Sequence, residues 1–463
     1  MPVNSFDDYP MSWRPQLKKG KLSIHKELTD LLRKDINEGV LLPGTKLPPQ
    51  RELADFLDIN LSTVSRAFKE CEQEGLLSSA VGSGTFVAYS AISAEAMLPH
   101  SGKSGTIEMG SLSPANLSTN ILKKVLDELV NSTELDHLFE YHFPVHNSWY
   151  NEAGARLIGK NGYTPEPESI MFSFGGQNAL AAILSGLFRA GDRIGCDPFV
   201  FPGFKSLAAL YGIRLIPIKT ENGEISSDGL MHAVKNENIS GLYINPDFQN
   251  PTTHIMSEEC KDMIARIALK NDFVVIEDAI FSMLKQTKTS TVQSRAPGQT
   301  IHIASISKVI APGLRIAYIS VPEKYRTNVG NALSAINLSI SPLSLELSSR
   351  LIVSSNLEKL LKESRTYVKR RNSIVDKALA EYEVHGSAEC PFRWLVFPEG
   401  MDAGLLEDKL HKDHVQIYSM GRFAVESRGG VQAARICAVT PGEEKDVMKG
   451  IKKVKAMIEK DRF

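Results

Sequence analysis

The sequence has little of several things that would narrow its chemistry at once. Its 463 residues include five cysteines, Cys71, Cys196, Cys260, Cys390 and Cys437, scattered and without a Cys-x-x-Cys pair. An odd, dispersed set fits reduced thiols better than disulfides or a zinc site, and no metal centre is expected. No apolar run reaches the ~20 residues a helix needs to cross a bilayer, so no membrane contact is expected. The opening MPVNSFDDYP has neither the basic nor the apolar segment of a secretory leader, which makes a cytoplasmic location the expectation. There is no excess of either charge: 53 Lys and Arg face 54 Asp and Glu, a net −1 at pH 7. The whole molecule is therefore no polycation, and a nucleic-acid surface has to be local. Fixed-period repeats are missing too. Apolar residues are plentiful, 42% of the chain, enough for two or three domains with sizeable cores.

Taken in order, residues 1–22 are polar and read as a lead-in arm. Ile24, Leu28, Leu31, Leu32 and Ile36 recur at helical spacing, and Gly39 stops them. After a turn over 41–49, a short helix is expected from Gln50 to Leu57. A break at Asp58-Ile59-Asn60 precedes a second helix, Leu61 to Glu74, ended by Gly75. Leu76–Val87 then reads as two short strands around a Gly82-Ser83-Gly84 tip. Helix, helix–turn–helix and β-wing together make a winged helix-turn-helix over 23–87, with double-stranded operator DNA as the partner. The second helix of the pair would enter the major groove, offering Ser62, Thr63, Ser65 and Arg66 to bases or phosphates. Lys46 and Arg51 would flank it as phosphate contacts, with Gly82 in the wing. Asn60 is placed to cap that helix. Residues 1–90 hold eleven Lys and Arg against twelve Asp and Glu, so non-specific DNA affinity should be modest. A small helical domain for protein contacts would share the helices.

Residues 88–107 are small, polar and unpatterned, and read as a linker. From 108 onward short apolar runs alternate with helical stretches: 171–174, 193–196, 241–244, 272–278, 301–305 and 315–320. That alternation predicts an α/β domain with a mostly parallel sheet covered on both faces. Ligands on such sheets bind beyond the carboxyl ends of the strands.

Lys308 lies between the apolar runs Ile301–Ile306 and Leu314–Ile319, which read as buried strands joined by a short loop. Desolvation there would lower its pKa, and a neutral amine can attack an aldehyde to form a Schiff base. Arg315, seven positions on, can hold a phosphate. An aldehyde that carries a phosphate suggests pyridoxal 5′-phosphate (PLP). Gly176 and Gln177 sit at a strand-to-helix turn suited to an anion. Phe201 can stack on a flat ring, and Asn250 can donate to a phenolate. Asp278 ends a buried run and can pair with a protonated pyridine nitrogen, with Glu277 on the opposite pleat as the competing carboxylate. Arg435, inside the apolar run AARICAV, can take a carboxylate. Each of these has an ordinary structural reading: a salt bridge, a turn or simple core.

Two resemblances organise the set. Residues 23–87 resemble the GntR-type DNA-binding domain through Leu42-Pro43-Gly44 with Leu47-Pro48, Arg51-Glu52-Leu53-Ala54, Thr63-Val64, Glu74-Gly75-Leu76 and Gly82-Ser83-Gly84-Thr85-Phe86-Val87. Leu61 stands where that family often has arginine. From about 110 on, the ordered set Gly176-Gln177, Phe201, Asn250, Asp278, Lys308, Arg315 and Arg435 resembles the aminotransferase-like fold of PLP enzymes. That resemblance implies a larger part over about 108–340 and a smaller C-terminal part over 341–463. It makes Lys308 the Schiff-base lysine and Asp278 the partner of the ring nitrogen. It also assigns Asn250 to the ring hydroxyl and Phe201 to the stack. Gly176, Gln177, Ser305, Ser307 and Arg315 go to the phosphate, and Arg435 to a ligand carboxylate. Two positions depart: Phe281 replaces a tyrosine that bonds the ring oxygen, and Thr253 replaces a turn glycine. The fusion resembles the MocR subfamily of bacterial regulators, which implies a homodimer whose large domain senses PLP, an amino compound, or both. A working aminotransferase with an accessory DNA-binding domain, and a PLP-free scaffold, remain open beside it.

Overall fold

Apolar spacing sets the first layer of structure in each of two compact units, Met1–Leu98 and Pro99–Phe463. The computed structural model describes residues 11–17, 23–37, 41, 45–74, 76–80, 84–88, 105–113, 119–133, 135–141, 148–287, 290–426, 431–440 and 442–461. Gly82 and most of the expected linker lie outside these.

In the first unit the helical spacing gives α1 (Ile24–Asn37), and α2 (Gln50–Leu57) and α3 (Leu61–Gln73) follow. The inward face of α3 is Val64, Ala67, Phe68 and Cys71, all buried, at the i, i+3, i+4, i+7 positions of one helix face. It packs on Leu28, Leu32 and Ile36 of α1 and Leu53 of α2. The wing is β1 (Leu77–Ala80) paired antiparallel with β2 (Gly84–Val87). Trp13, in the polar stretch read as a lead-in arm, is buried in this core and donates its indole N–H to Asp35 at 2.8 Å. One sequence expectation needs correction. Asn60 stands at the first turn of α3 but its side chain makes no capping bond; its backbone carbonyl accepts from Thr63 N–H instead. Its exposed amide therefore belongs with the polar residues that start α3.

The second unit begins with β3 (Ile107–Glu108), α4 (Thr119–Val130) and α5 (Ser148–Gly159). Alternation then sets in with β4 (Ile170–Ser173), α6 (Gly176–Leu187), β5 (Arg193–Cys196), α7 (Pro202–Leu210) and β6 (Arg214–Pro217). A hairpin of β7 (Thr220–Glu221) and β8 (Glu224–Ile225) leads to α8 (Ser227–Asn236), β9 (Gly241–Ile244), α9 (Glu258–Asn271) and β10 (Val274–Asp278). Next come α10 (Val292–Arg295), β11 (Thr300–Ala304), β12 (Ala317–Ser320) and α11 (Glu323–Asn337). The main sheet has seven strands in the order β4-β12-β11-β10-β9-β5-β6. Only β12 runs antiparallel to its neighbours. Every residue of β9 to β12 is buried, as a sheet covered on both faces requires. The sequence did not single out β6, whose short run ends in Pro217. The expected short loop before β12 is also longer: residues 305–316 connect β11 to β12 and include a tight turn at Pro312–Leu314.

The remainder is α12 (Pro342–Val353), α13 (Asn356–Ala378), β13 (Glu383–His385), β14 (Arg393–Val396), α14 (Ala403–Lys412), β15 (Val415–Gln416), β16 (Tyr418–Ser419), β17 (Ala433–Ile436) and α15 (Glu444–Asp461). Strands β13, β14, β17 and β16 form a second sheet, and β3 pairs in parallel with β15. Among the described residues no helix is long and apolar enough to cross a membrane.

Inside the main sheet, Glu277 and His302 are register partners and both are fully buried. His302 Nδ1 lies 2.9 Å from the Glu277 carboxylate, which also accepts from the amides of Val292 at 2.8 Å and Gln293 at 3.2 Å. Removing one member of such a network leaves the others uncompensated. Glu277→Ala is expected to cost about 3–5 kcal/mol of stability, read as a lower denaturant midpoint with an unchanged slope.

Candidate functional site

Parallel register carries Asp278 to the carboxyl end of β10, opposite Ile303 of β11. Burial pushes its carboxyl above the usual range, and hydrogen bonds from Tyr243, from the Ile280 amide and from Asn245 oppose the shift. Tyr243 O–H donates to Asp278 Oδ2 at 2.9 Å, while Asn245 Nδ2 donates to the Asp278 carbonyl at 3.1 Å. Asp278 Oδ1 is cut off from solvent and has no partner among the described residues. Glu277, on the opposite pleat, faces the other way and is fully engaged with His302 and α10.

Lys308 lies in the 305–316 connection, partly buried, with no hydrogen-bond acceptor among the described residues. Burial lowers its pKa to about 8, and the charges of Arg315 and Arg435 push in the same direction. The loop is locked from below. Ser305 O–H donates to the Ile316 carbonyl at 2.8 Å, and the Ser307 amide donates to Ser305 Oγ at 3.1 Å. Ser305 thus spends its proton on the backbone instead of offering it to a phosphate. Ser307, at 3.5 Å from the same carbonyl, is only loosely held.

Arg315 is exposed and reaches back to the Phe174 carbonyl at 3.3 Å. Gly175 approaches it so closely, at φ +81°, that a Cβ there would fall 2.8 Å from Arg315 Nη2. Directly after Gly175, Gly176 and Gln177 open α6, where the first amides have no carbonyl inside the helix to bond. Gln177 Nε2 donates to the Gly203 carbonyl at 2.9 Å, and its buried Oε1 is unpaired. Phe201, at the start of α7, lies beside Gln177 against Gly203, where a Cβ would strike the Gln177 amide and the Phe201 ring.

Arg435 projects from β17 and is only 6% exposed. Its Nη1 donates to Asn250 Oδ1 and its Nη2 to the Gly110 carbonyl, both at 2.6 Å, while Nε has no partner. The rings of Phe392, Tyr418 and Phe423 surround the guanidinium at 4.9–5.5 Å. Among the described residues no carboxylate pairs with Arg435 or with Arg315. Phe281 is buried edge-on against Phe392 at 5.6 Å. Thr253 takes the left-handed φ of +69°, a conformation glycine adopts at less cost.

The structure therefore brings Arg315 and Arg435 each within electrostatic reach of Lys308. Arg435 is bonded directly to Asn250, and Asp278 stands two strands from β12 on the same sheet. No hydrogen bond links Asp278 to Lys308 among the described residues. The expected DNA contacts lie in the other unit: Lys46, Arg51, Ser62 and Arg66 are exposed, and Thr63 and Ser65 are partly buried. Ser65 O–H is taken by Gln50 Oε1 at 2.7 Å, which ties α3 to α2. Sequence reasoning missed Tyr243, Gly110 and Tyr418. Tyr243 looked like core in an apolar strand, and Gly110 acts through a backbone carbonyl that no side-chain pattern reveals.

The residues present fit PLP chemically. A low-pKa amine suits an aldehyde, and a buried, unpaired carboxylate oxygen suits a ring N–H. An arginine beside a helix start suits a phosphate. The amine can be read directly: reductive methylation of Lys308 by formaldehyde, followed by peptide mass, is expected to rise with a midpoint near pH 8. Arg435→Gln removes one repelling cation, so its midpoint should move upward.

Residues 24–87 match bacterial regulatory proteins of the gntR family, and residues 107–452 match aminotransferase class I and II. The uncharacterized HTH-type transcriptional regulator YdeF of Bacillus subtilis (strain 168) is 43% identical over 451 residues, 97% of this chain and 98% of that protein. The HTH-type pyridoxine biosynthesis transcriptional regulator PdxR of Corynebacterium glutamicum is 23% identical, covering 81% of this chain and 82% of its own. In fold, the kynurenine aminotransferase of Pyrococcus horikoshii superposes with a TM-score of 0.71 at 21% identity, over 78% of this chain and 92% of that one. The α-aminoadipate aminotransferase LysN of Thermus thermophilus, solved with N-(5′-phosphopyridoxyl)-L-leucine, gives 0.70 at 18% identity, over 77% of this chain and 93% of that one. A GntR-type winged helix-turn-helix fused to an aminotransferase-like domain places this chain in the MocR subfamily of GntR-type transcriptional regulators.

Proposed function

We propose that the N-terminal unit reads an operator and that the aminotransferase-like unit binds PLP and an amino compound, whose arrival changes DNA affinity. The observation that carries this reading is Arg435: a guanidinium, 6% exposed, with an unpaired Nε and no counter-ion among the described residues. A buried arginine cannot shed its proton, so a carboxylate-bearing ligand is its natural partner. PLP, when bound, supplies an aldehyde that condenses with amines and a ring that withdraws electrons. Lys308 would hold it covalently, and Asp278 would keep its ring nitrogen protonated. Phe201 would stack on the ring, and Asn250, whose Oδ1 is already committed to Arg435, would offer its amide N–H to the ring hydroxyl. Gly176, Gln177, Ser307 and Arg315 would hold the phosphate, with Ser305 supporting the loop.

The Gly110 carbonyl sits where a ligand carboxylate would compete for Arg435. Gly110 lies two residues after β3, at the point where the chain arrives from the DNA-binding unit. Displacing that carbonyl loosens the start of the second unit, which gives ligand binding a route to the linker. We read residues 23–87, 88–107 and 108–463 as reader, linker and sensor, working as a homodimer. Val130, Phe139 and Tyr141, exposed by 60%, 74% and 77%, offer apolar surface for a second copy.

Fluorescence anisotropy of the full chain on its own upstream DNA and on a scrambled control, with and without PLP, tests the reading. Tighter binding to the native fragment, altered by PLP, is expected; equal binding to both fragments contradicts it. Arg51→Ala should weaken binding on all sequences, whereas Thr63→Ala should chiefly relax the preference. Asn60→Ala should weaken binding at little cost in stability, because no cap is lost. A second reading, catalytic transamination, is favoured by the retained Lys308, Asp278 and Arg435. Steady conversion of an amino acid and a keto acid would establish it, but the missing hydroxyl at Phe281 argues against efficient turnover.

A further inference from the structure

Tyr243 is the second residue from the end of β9 and is 1% exposed. Its hydroxyl lies 2.9 Å from Asp278 Oδ2 and 3.3 Å from Asn245 Oδ1. A phenol has one proton to give, and the nearer, anionic acceptor takes it. The ring cannot swing away, because it stacks on Phe204 with centroids 3.8 Å apart and planes 11° from parallel. Asn245 fixes the aspartate from its other end by donating to the Asp278 carbonyl. Side chains therefore hold Asp278 at two points, its backbone carbonyl and Oδ2, beside the Ile280 amide. Oδ1 is the oxygen left over, buried and unpaired.

Besides the Ile280 amide, the neighbours of Asp278 add no further donor of this kind among the described residues. His302, on the adjacent β11, has its ring committed to Glu277 on the other face of the sheet and to Asn161. Lys308 lies in the connecting loop without a bond to the carboxylate. Burial and the nearby Asp278 charge push the Tyr243 phenol well above its usual range, so it stays protonated and can only donate to the carboxylate.

We propose that Tyr243 is a positioning residue that keeps Asp278 ionised and turns Oδ1 toward the ring nitrogen of a pyridine cofactor. The inference rests on the PLP reading of this site. Burial already raises the Asp278 carboxyl pKa against its hydrogen bonds, and loss of the phenol proton removes the largest of them, so the carboxyl rises further. Asp278 then takes up the proton that it would otherwise leave on the ring nitrogen. Tyr243 itself never touches the cofactor in this scheme; it acts through the carboxylate.

Tyr243→Phe keeps the ring and its stack on Phe204 and removes only the donor. The full chain, loaded with PLP labelled with nitrogen-15 in the ring, is read by the ring-nitrogen chemical shift and by the PLP dissociation constant. The wild type is expected to show a protonated nitrogen. The variant is expected to move toward the unprotonated shift and to bind PLP about tenfold more weakly, as for a lost hydrogen bond to a charged group. 3-Fluorotyrosine placed at position 243 is a stronger acid and a better donor, so it should hold the nitrogen protonated to higher pH than the wild type does. This second substitution also serves if the phenylalanine variant folds poorly. Identical nitrogen shifts and PLP affinities in wild type and variant overturn the role of Tyr243 while leaving the PLP site in place. A wild type that takes up no PLP overturns both.

Discussion

Three cationic side chains, Lys308, Arg315 and Arg435, share one end of the sheet, and no carboxylate pairs with them among the described residues. Like charges at such range repel, and burial around Lys308 and Arg435 removes water that would screen them. The amine answers by giving up its proton more readily, with a pKa near 8. The arginines cannot, so they lean on neutral acceptors: Phe174 O for one, Asn250 and the Gly110 carbonyl for the other. Aromatic faces around Arg435 contribute cation–π attraction without neutralising it. A site built this way is arranged to receive negative charge, and two separate cationic points suit two separate anionic groups, a phosphate and a carboxylate.

The same sheet disposes of two adjacent carboxylates in opposite ways. Glu277 points to one face and is fully satisfied by His302 and by two amides of α10, which makes it part of the scaffold. Asp278 points to the other and keeps one oxygen unpaired, so its desolvation is only partly offset. Unsatisfied groups are tolerated where binding later satisfies them. The contrast between satisfied and unsatisfied separates the acid built into the scaffold from the acid with a bonding position still open more sharply than position in the strand does.

Much of the fold was legible because its signals are local. Helical spacing in α1, the boundary at Asp58-Ile59-Asn60 and the Gly-rich wing gave the first unit almost element by element. Continuous apolar runs gave six of the seven strands of the main sheet, all but β6. Signals that depend on distant partners were not legible. The antiparallel sense of β12, the burial of Trp13 and the unused cap at Asn60 all follow from tertiary contacts that no spacing encodes. The charged residues of the site stood out because charge inside an apolar run is conspicuous. Its quieter members did not: Tyr243 is an aromatic in a buried strand, and Gly110 contributes only a carbonyl. Ser305 was legible as a residue but not as a lock on Ile316, since its hydroxyl could serve a phosphate or a backbone carbonyl equally well on sequence alone.

The central claim is that Lys308 is the covalent anchor of a cofactor to which the rest of this end of the sheet is fitted. Borohydride reduction of the PLP-treated full chain, followed by digestion and peptide mass measurement, tests it most directly. The account expects one phosphopyridoxyl addition, on the peptide that contains Lys308. Label spread over surface lysines, or none at Lys308, would contradict it.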